Sequence, residues 1–113
     1  MRAQNAAPSV RHFLEGECKT VIDKFKTLPF GELPNRGKSF NTVAVYPDGR
    51  TATISVMVEE ESRERFLVIV QCFMPMKGIM GWLRVKHVEV DGFRRYADGR
   101  IEQLDNATLY QYD

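Results

Sequence analysis

Thr51-Ala52-Thr53-Ile54-Ser55-Val56-Met57-Val58 and, after a charged run, Phe66-Leu67-Val68-Ile69-Val70-Gln71-Cys72-Phe73 decide the fold of this chain. In the first stretch Ala52, Ile54, Val56 and Val58 fall on one face; Thr51, Thr53, Ser55 and Met57 fall on the other. Successive side chains of a strand point to opposite faces, so the alternation predicts a sheet with one buried face. The second stretch is apolar on both faces and predicts a central strand covered on both sides. Glu59-Glu60-Glu61-Ser62-Arg63-Glu64 reads as a charged turn that makes the two strands antiparallel neighbours.

Upstream, Val43 and Val45 share a face, and Tyr46-Pro47-Asp48-Gly49-Arg50 is a tight hairpin signal, because Asp-Gly supplies the left-handed position such a turn needs. Downstream, a strand is expected from Leu83 to Val90, with Asp91-Gly92 as a turn or bulge. Phe93–Tyr96 and Arg100–Leu104 flank a second Asp-Gly turn, and Asn106–Asp113 is expected to add a last short strand. Residues 46–50 and 96–100 both read Tyr-x-Asp-Gly-Arg. Their flanks, TVAV and GFRR, do not match, so shared turn chemistry explains the pair better than an internal repeat.

At the N-terminal side, Val10, Phe13, Leu14, Cys18, Val21, Ile22 and Phe25 form the stripe of an amphipathic helix. Ser9 is its expected N-cap, Lys24 and Lys26 suit the dipole in its last turn, and Pro29 ends it. Gly16 weakens this helix and is expected to permit close packing. Residues 28–38, with two Pro and two Gly, read as an ordered loop tacked down by Phe30 and Leu33.

The expected architecture is α+β in a single domain over 1–113: a frayed 1–8, a helix over 9–27 and an antiparallel meander over 39–112. One amphipathic helix on a curled sheet of four to six strands is a cystatin-like or helix-grip arrangement. The stretch Tyr96-Ala97-Asp98-Gly99-Arg100-Ile101-Glu102-Gln103-Leu104 resembles the final hairpin of NTF2-like proteins, which share that broad architecture. The resemblance covers that stretch alone and implies a pocket between helix and sheet. The chain lacks the extra N-terminal helices usual in NTF2-like cones.

The 113 residues carry a formal net charge of +1, which does not suit a general binder of nucleic acid or acidic membranes. The N-terminus MRAQNAAPS has no apolar signal core. The longest apolar-rich stretch, Phe66–Met76, is far short of the ~20 residues of a membrane span, so a cytoplasmic location is expected. Cys18 and Cys72 belong to no CxxC or zinc-spaced set and read as buried thiols. A bridge between them requires that the helix set one over the other, and a reducing cytoplasm disfavours it. His12, in the first helical turn, and His87, on a strand, have no nucleophile or acid at readable spacing. Asp48, Asp91 and Asp98 each precede a turn glycine, which explains them without catalysis. No catalytic residue, metal site or cofactor is assigned.

Three functional expectations follow. The first is a small non-catalytic interaction protein of inhibitor, immunity or adaptor type. It would bind a protein partner or a second copy of itself through Met74, Met76, Ile79, Met80 and Trp82 of loop 74–82 and through a sheet edge. The second is a ligand-binding or enzymatic pocket using Tyr46, His87, Tyr96 and Arg84. The third is nucleic-acid binding through Arg84, Lys86, Phe93, Arg94, Arg95, Tyr96 and Arg100, weighed against Glu89, Asp91, Asp98 and Glu102 threaded through the same stretch. Cross-strand salt bridges explain that mixture more simply.

Overall fold

The computed structural model describes residues 9–75 and 86–111. Helix α1 runs Val10–Lys26. Ser9 caps it, its Oγ accepting from the His12 amide at 3.1 Å and so filling one of the donors a helix start leaves open. Leu14, Cys18, Val21, Ile22 and Phe25 are its buried stripe, as their spacing predicts. Gly16 faces open space rather than a close neighbour. The carbonyl end of α1 is held from the sheet: Arg95 Nη1 donates to Lys26 O at 3.2 Å and to Leu28 O at 2.8 Å, setting a cation at the negative end of the helix dipole.

Five strands follow: β1 (Asn41–Val45), β2 (Thr51–Ser62), β3 (Arg65–Pro75), β4 (Lys86–Tyr96) and β5 (Ile101–Gln103). They lie in the order β1-β2-β3-β4-β5, each antiparallel to the next. The two Tyr-x-Asp-Gly-Arg turns are built alike. Gly49 and Gly99 take φ of 95° and 97°, and Asp48 and Asp98 each accept from the arginine amide two residues on at 3.0 Å. Toward α1 the sheet presents Ala52, Ile54, Val68, Val70, Cys72, Met74 and Phe93. On its other face Leu67 and Ile69 pack with Leu104, Val90 and Leu109. The central strand β3 is therefore apolar on both sides because both sides are covered. The fold is an α+β arrangement of one N-terminal helix on an open five-stranded antiparallel sheet.

Four local expectations are corrected. Residues 28–38 are not a plain loop: Phe30–Glu32 is a 3-10 turn and Leu33–Ser39 a short helix, α2. Pro34 sits in the first turn of α2, where its missing N–H costs nothing, and Leu33 is fully buried. The acidic run Glu59–Glu61 belongs to β2, with a register shift between Glu60 and Ser62; the turn itself is Arg63-Glu64. Asp91-Gly92 is no turn but the middle of β4, where glycine is required by the close approach of Val68 O and Ile69. Asn106–Tyr110 is a helical turn, α3, rather than a strand; Asp105 caps it by accepting from the Thr108 amide at 2.8 Å.

Candidate functional site

The hairpin β4–β5 is unequal. β5 pairs only with Phe93, Arg94 and Arg95, while β4 begins at Lys86. Among the described residues no strand lies beside β4 from Lys86 to Asp91. In an antiparallel ladder alternate residues direct their backbone groups to one neighbour and then the other. Tyr96 N donates to Arg100 O at 2.9 Å, and Gly92 O accepts from Leu104 N at 3.3 Å. The even-numbered residues of β4 thus direct their backbone toward the β5 side. The register with β3 is unbroken along β4, so Val88 and Val90 present their N–H and C=O groups to the open edge.

That edge lies in a groove. Three adjoining cavities run along it, the largest of about 410 Å³. Arg11, Leu14, Glu15 and Cys18 of α1 form one wall; Leu109 and Tyr110 of α3, with Asn106, form the other. The two sides differ chemically. Glu89 and Asp91 pair with Cys72 and Val70, which face α1, so they share that side with Glu15. Val88 and Val90 project to the opposite side, where Val90 packs with Leu109. Arg11 and Glu15 form an ion pair at 3.2 Å. Asp91 Oδ1 accepts from Gly92 N at 2.8 Å and from Gln103 Nε2 at 2.9 Å, which fixes its side chain against the strand. The floor is thus a strand edge with an acidic wall toward α1 and an apolar one toward α3.

The residues singled out from sequence are dispersed. Met76, Ile79, Met80, Trp82 and Arg84 lie outside the described residues. Met74 is fully buried under α1 and offers nothing to a partner. Phe93 is also fully buried, so its ring has no face for a base. Arg94 and Arg95 project to opposite faces of the sheet. Arg94 bonds Glu61 at 2.9 Å, which raises its pKa, and Arg95 serves the end of α1. Arg100 pairs with Asp98 at 3.0 Å and lies 4.3 Å over the Tyr96 ring, while the Tyr96 hydroxyl donates to Glu102 at 2.7 Å. Lys86 opens β4, opposite Pro75. Arg94, Arg95, Tyr96 and Arg100 are therefore each engaged within the chain.

The three described residues of the expected pocket, Tyr46, His87 and Tyr96, do not converge. His87 pairs with Met74 and Tyr96 with Arg65, at opposite ends of β4 and about 30 Å apart by strand rise. Tyr46 is buried edge-on against Phe13, with ring centroids 5.1 Å apart. Between α1 and the sheet the buried side chains of the core are at most 9% exposed, so that space is filled, and the three adjoining cavities lie along β4 instead. Among the described residues, no group of three or more His, Cys, Asp or Glu is placed to hold a metal ion, and no helix is long and apolar enough to cross a membrane.

Sequence reasoning missed the groove. Its signal was present as the alternation Val88-Glu89-Val90-Asp91, an apolar row and an acidic row on one strand. What periodicity does not carry is which strand lacks a neighbour. Compared with known proteins, the chain matches no family model, and no curated protein or solved structure matches it significantly.

Proposed function

We propose that the protein is a small non-catalytic interaction module of the cytoplasm that binds an extended polypeptide segment as an added strand along the open edge of β4. The observation that carries this reading is the pair Val88 and Val90, whose backbone groups face a groove between α1 and α3. Strand addition draws affinity from main-chain hydrogen bonds and specificity from the alternate side chains. Here an added strand would set every second side chain beside Glu15, Glu89 and Asp91, and the others beside Val88, Val90 and Leu109. The fitting partner is a segment in which basic and apolar residues alternate.

Val88→Pro is the direct test. Proline removes the N–H aimed at the groove but spares the ladder to β3, and proline is tolerated on an edge whose N–H faces away from the sheet. Selection of a displayed random-peptide library on the wild-type protein is expected to enrich alternating Lys/Arg and apolar residues. Val88→Pro should lose those peptides by at least about tenfold, the value of one main-chain bond of about 1.4 kcal/mol, while keeping its circular dichroism and melting temperature. Equal binding by a folded Val88→Pro protein would refute the reading.

Self-association has a separate edge. β1 carries no charged residue, and its Val43 and Val45 are 59% and 67% exposed. Uncharged edge strands of this kind invite pairing with a second copy.

A further inference from the structure

We propose that Cys18 and Cys72 are a modification site, a thiol pair that a low-molecular-weight disulfide converts to an internal bridge stapling α1 to β3. The two sulfurs lie 2.8 Å apart, from elements 54 positions apart in the chain. Both cysteines are free and buried, at 1% and 0% exposure. A disulfide spans about 2.05 Å, so the bridge needs roughly 0.8 Å of further approach. Apolar packing holds α1 to the sheet over this region, so the approach is opposed by close contacts rather than by directional bonds, and the new covalent bond offsets that cost. The condition that the sequence left open, that the helix set Cys18 over Cys72, is met.

The surroundings define how the reaction runs. The hydrogen bond with Cys72, burial, and the nearby charges of Glu89 and Asp91 hold the Cys18 thiol far above its ordinary range. The attacking thiolate therefore forms only when α1 lifts from the sheet, which makes oxidation slow. Cys18 lines the acidic groove and is the first cysteine an entering reagent meets. In the first exchange the Cys18 thiolate attacks one sulfur of the reagent. The reagent S–S bond breaks, one thiolate leaves and takes up the proton released by Cys18, and the chain carries a mixed disulfide. In the second, the Cys72 thiolate attacks the Cys18 sulfur, the protein S–S bond forms, and the second reagent thiolate leaves with the remaining proton. The chain loses two hydrogens and two electrons, and the reagent is reduced to two thiols. Because Glu15, Glu89 and Asp91 surround the entry, a cationic disulfide is favoured over an anionic one.

The test treats the reduced full-length protein with cystamine or with oxidised glutathione, then blocks remaining thiols and reads intact and peptide masses. Loss of two hydrogens per chain, a cross-linked peptide pair containing Cys18 and Cys72, and faster conversion by cystamine are expected. The melting temperature should rise by roughly 10–20 °C, as for closure of a long loop, and dithiothreitol should reverse the rise. Cys72→Ser should abolish that reagent-dependent rise. To remove protection by burial, the same reagents are supplied during refolding from urea. Two blockable thiols after that treatment, a mixed disulfide as the end product, or a lowered melting temperature would each overturn the proposal.

Discussion

Replacing Gly92 with alanine tests the placement on which both the sheet and the groove depend. Gly92 pairs with Ile69 in the middle of β4. A Cβ built there meets Val68 O at 2.5 Å, Ile69 Cδ1 at 2.9 Å and Leu104 Cδ1 at 3.0 Å. A relaxed carbon–oxygen contact is about 3.3 Å, so the backbone of β3 and β4 must part by roughly 0.8 Å. The two methyl groups can turn away, but the carbonyl belongs to Val68, fully buried in the central strand, and cannot. Overpacking of this kind costs about 1–3 kcal/mol, and the involvement of backbone puts Gly92→Ala near 3 kcal/mol. Alanine's advantage over glycine within a strand returns about 0.5–1 kcal/mol, which leaves a net loss of about 2 kcal/mol. At about 4–8 °C per kcal/mol the melting temperature should fall by roughly 10 °C. Urea unfolding followed by circular dichroism reads the same loss as a lower midpoint at unchanged slope. Gly16→Ala is the matched control. It sits on the exposed side of α1 with nothing near its Cβ, and it should raise stability by about 0.4–1 kcal/mol. If Gly92→Ala is as stable as the wild type, β4 does not run unbroken past β3. The turn that the sequence suggests at Asp91-Gly92 would then be restored.

Three further outcomes are expected. Arg95→Met should cost about 1.5–3 kcal/mol by freeing the carbonyls of Lys26 and Leu28, and Arg95→Lys should recover only part, since one ammonium does not reproduce the guanidinium's reach; thermal melts decide. Acceptance from the Thr108 amide holds Asp105 below its ordinary pKa of 3.8, so the cap of α3 is fully present above that value and is lost as pH falls through the lower folded value. A Thr108 amide resonance that titrates with a midpoint at or above 3.8 would contradict this cap. Val43→Lys, which places a charge in the exposed row of β1, should turn any dimer seen by sedimentation into monomer without changing the fold; an unaltered dimer would locate self-association elsewhere.

The helix stripe, the two Asp-Gly hairpins and the doubly apolar strand were legible in the sequence because each is a local periodicity or a local turn chemistry. Ser9 as a cap and the shared geometry of residues 46–50 and 96–100 follow the same rule. Where local composition is ambiguous, packing decided. Residues 33–39 contain Pro and Gly yet are helical, because Leu33 is buried and Gly37 lies against Val58 of β2. Asp91-Gly92 has turn composition yet lies in a strand, because glycine there clears the backbone of β3.

The candidate site was the least legible part. The sequence by itself determined that β4 alternates acid with valine and that Cys18 and Cys72 each fall on an apolar stripe. Only the tertiary structure decided that β5 stops short of Val90, that α1 and α3 wall the exposed edge, and that the two sulfurs meet 54 positions apart. The physical reason is that side-chain periodicity states which face of an element is buried, whereas the neighbour along each strand edge and the partner of each buried atom are fixed by contacts distant in the chain.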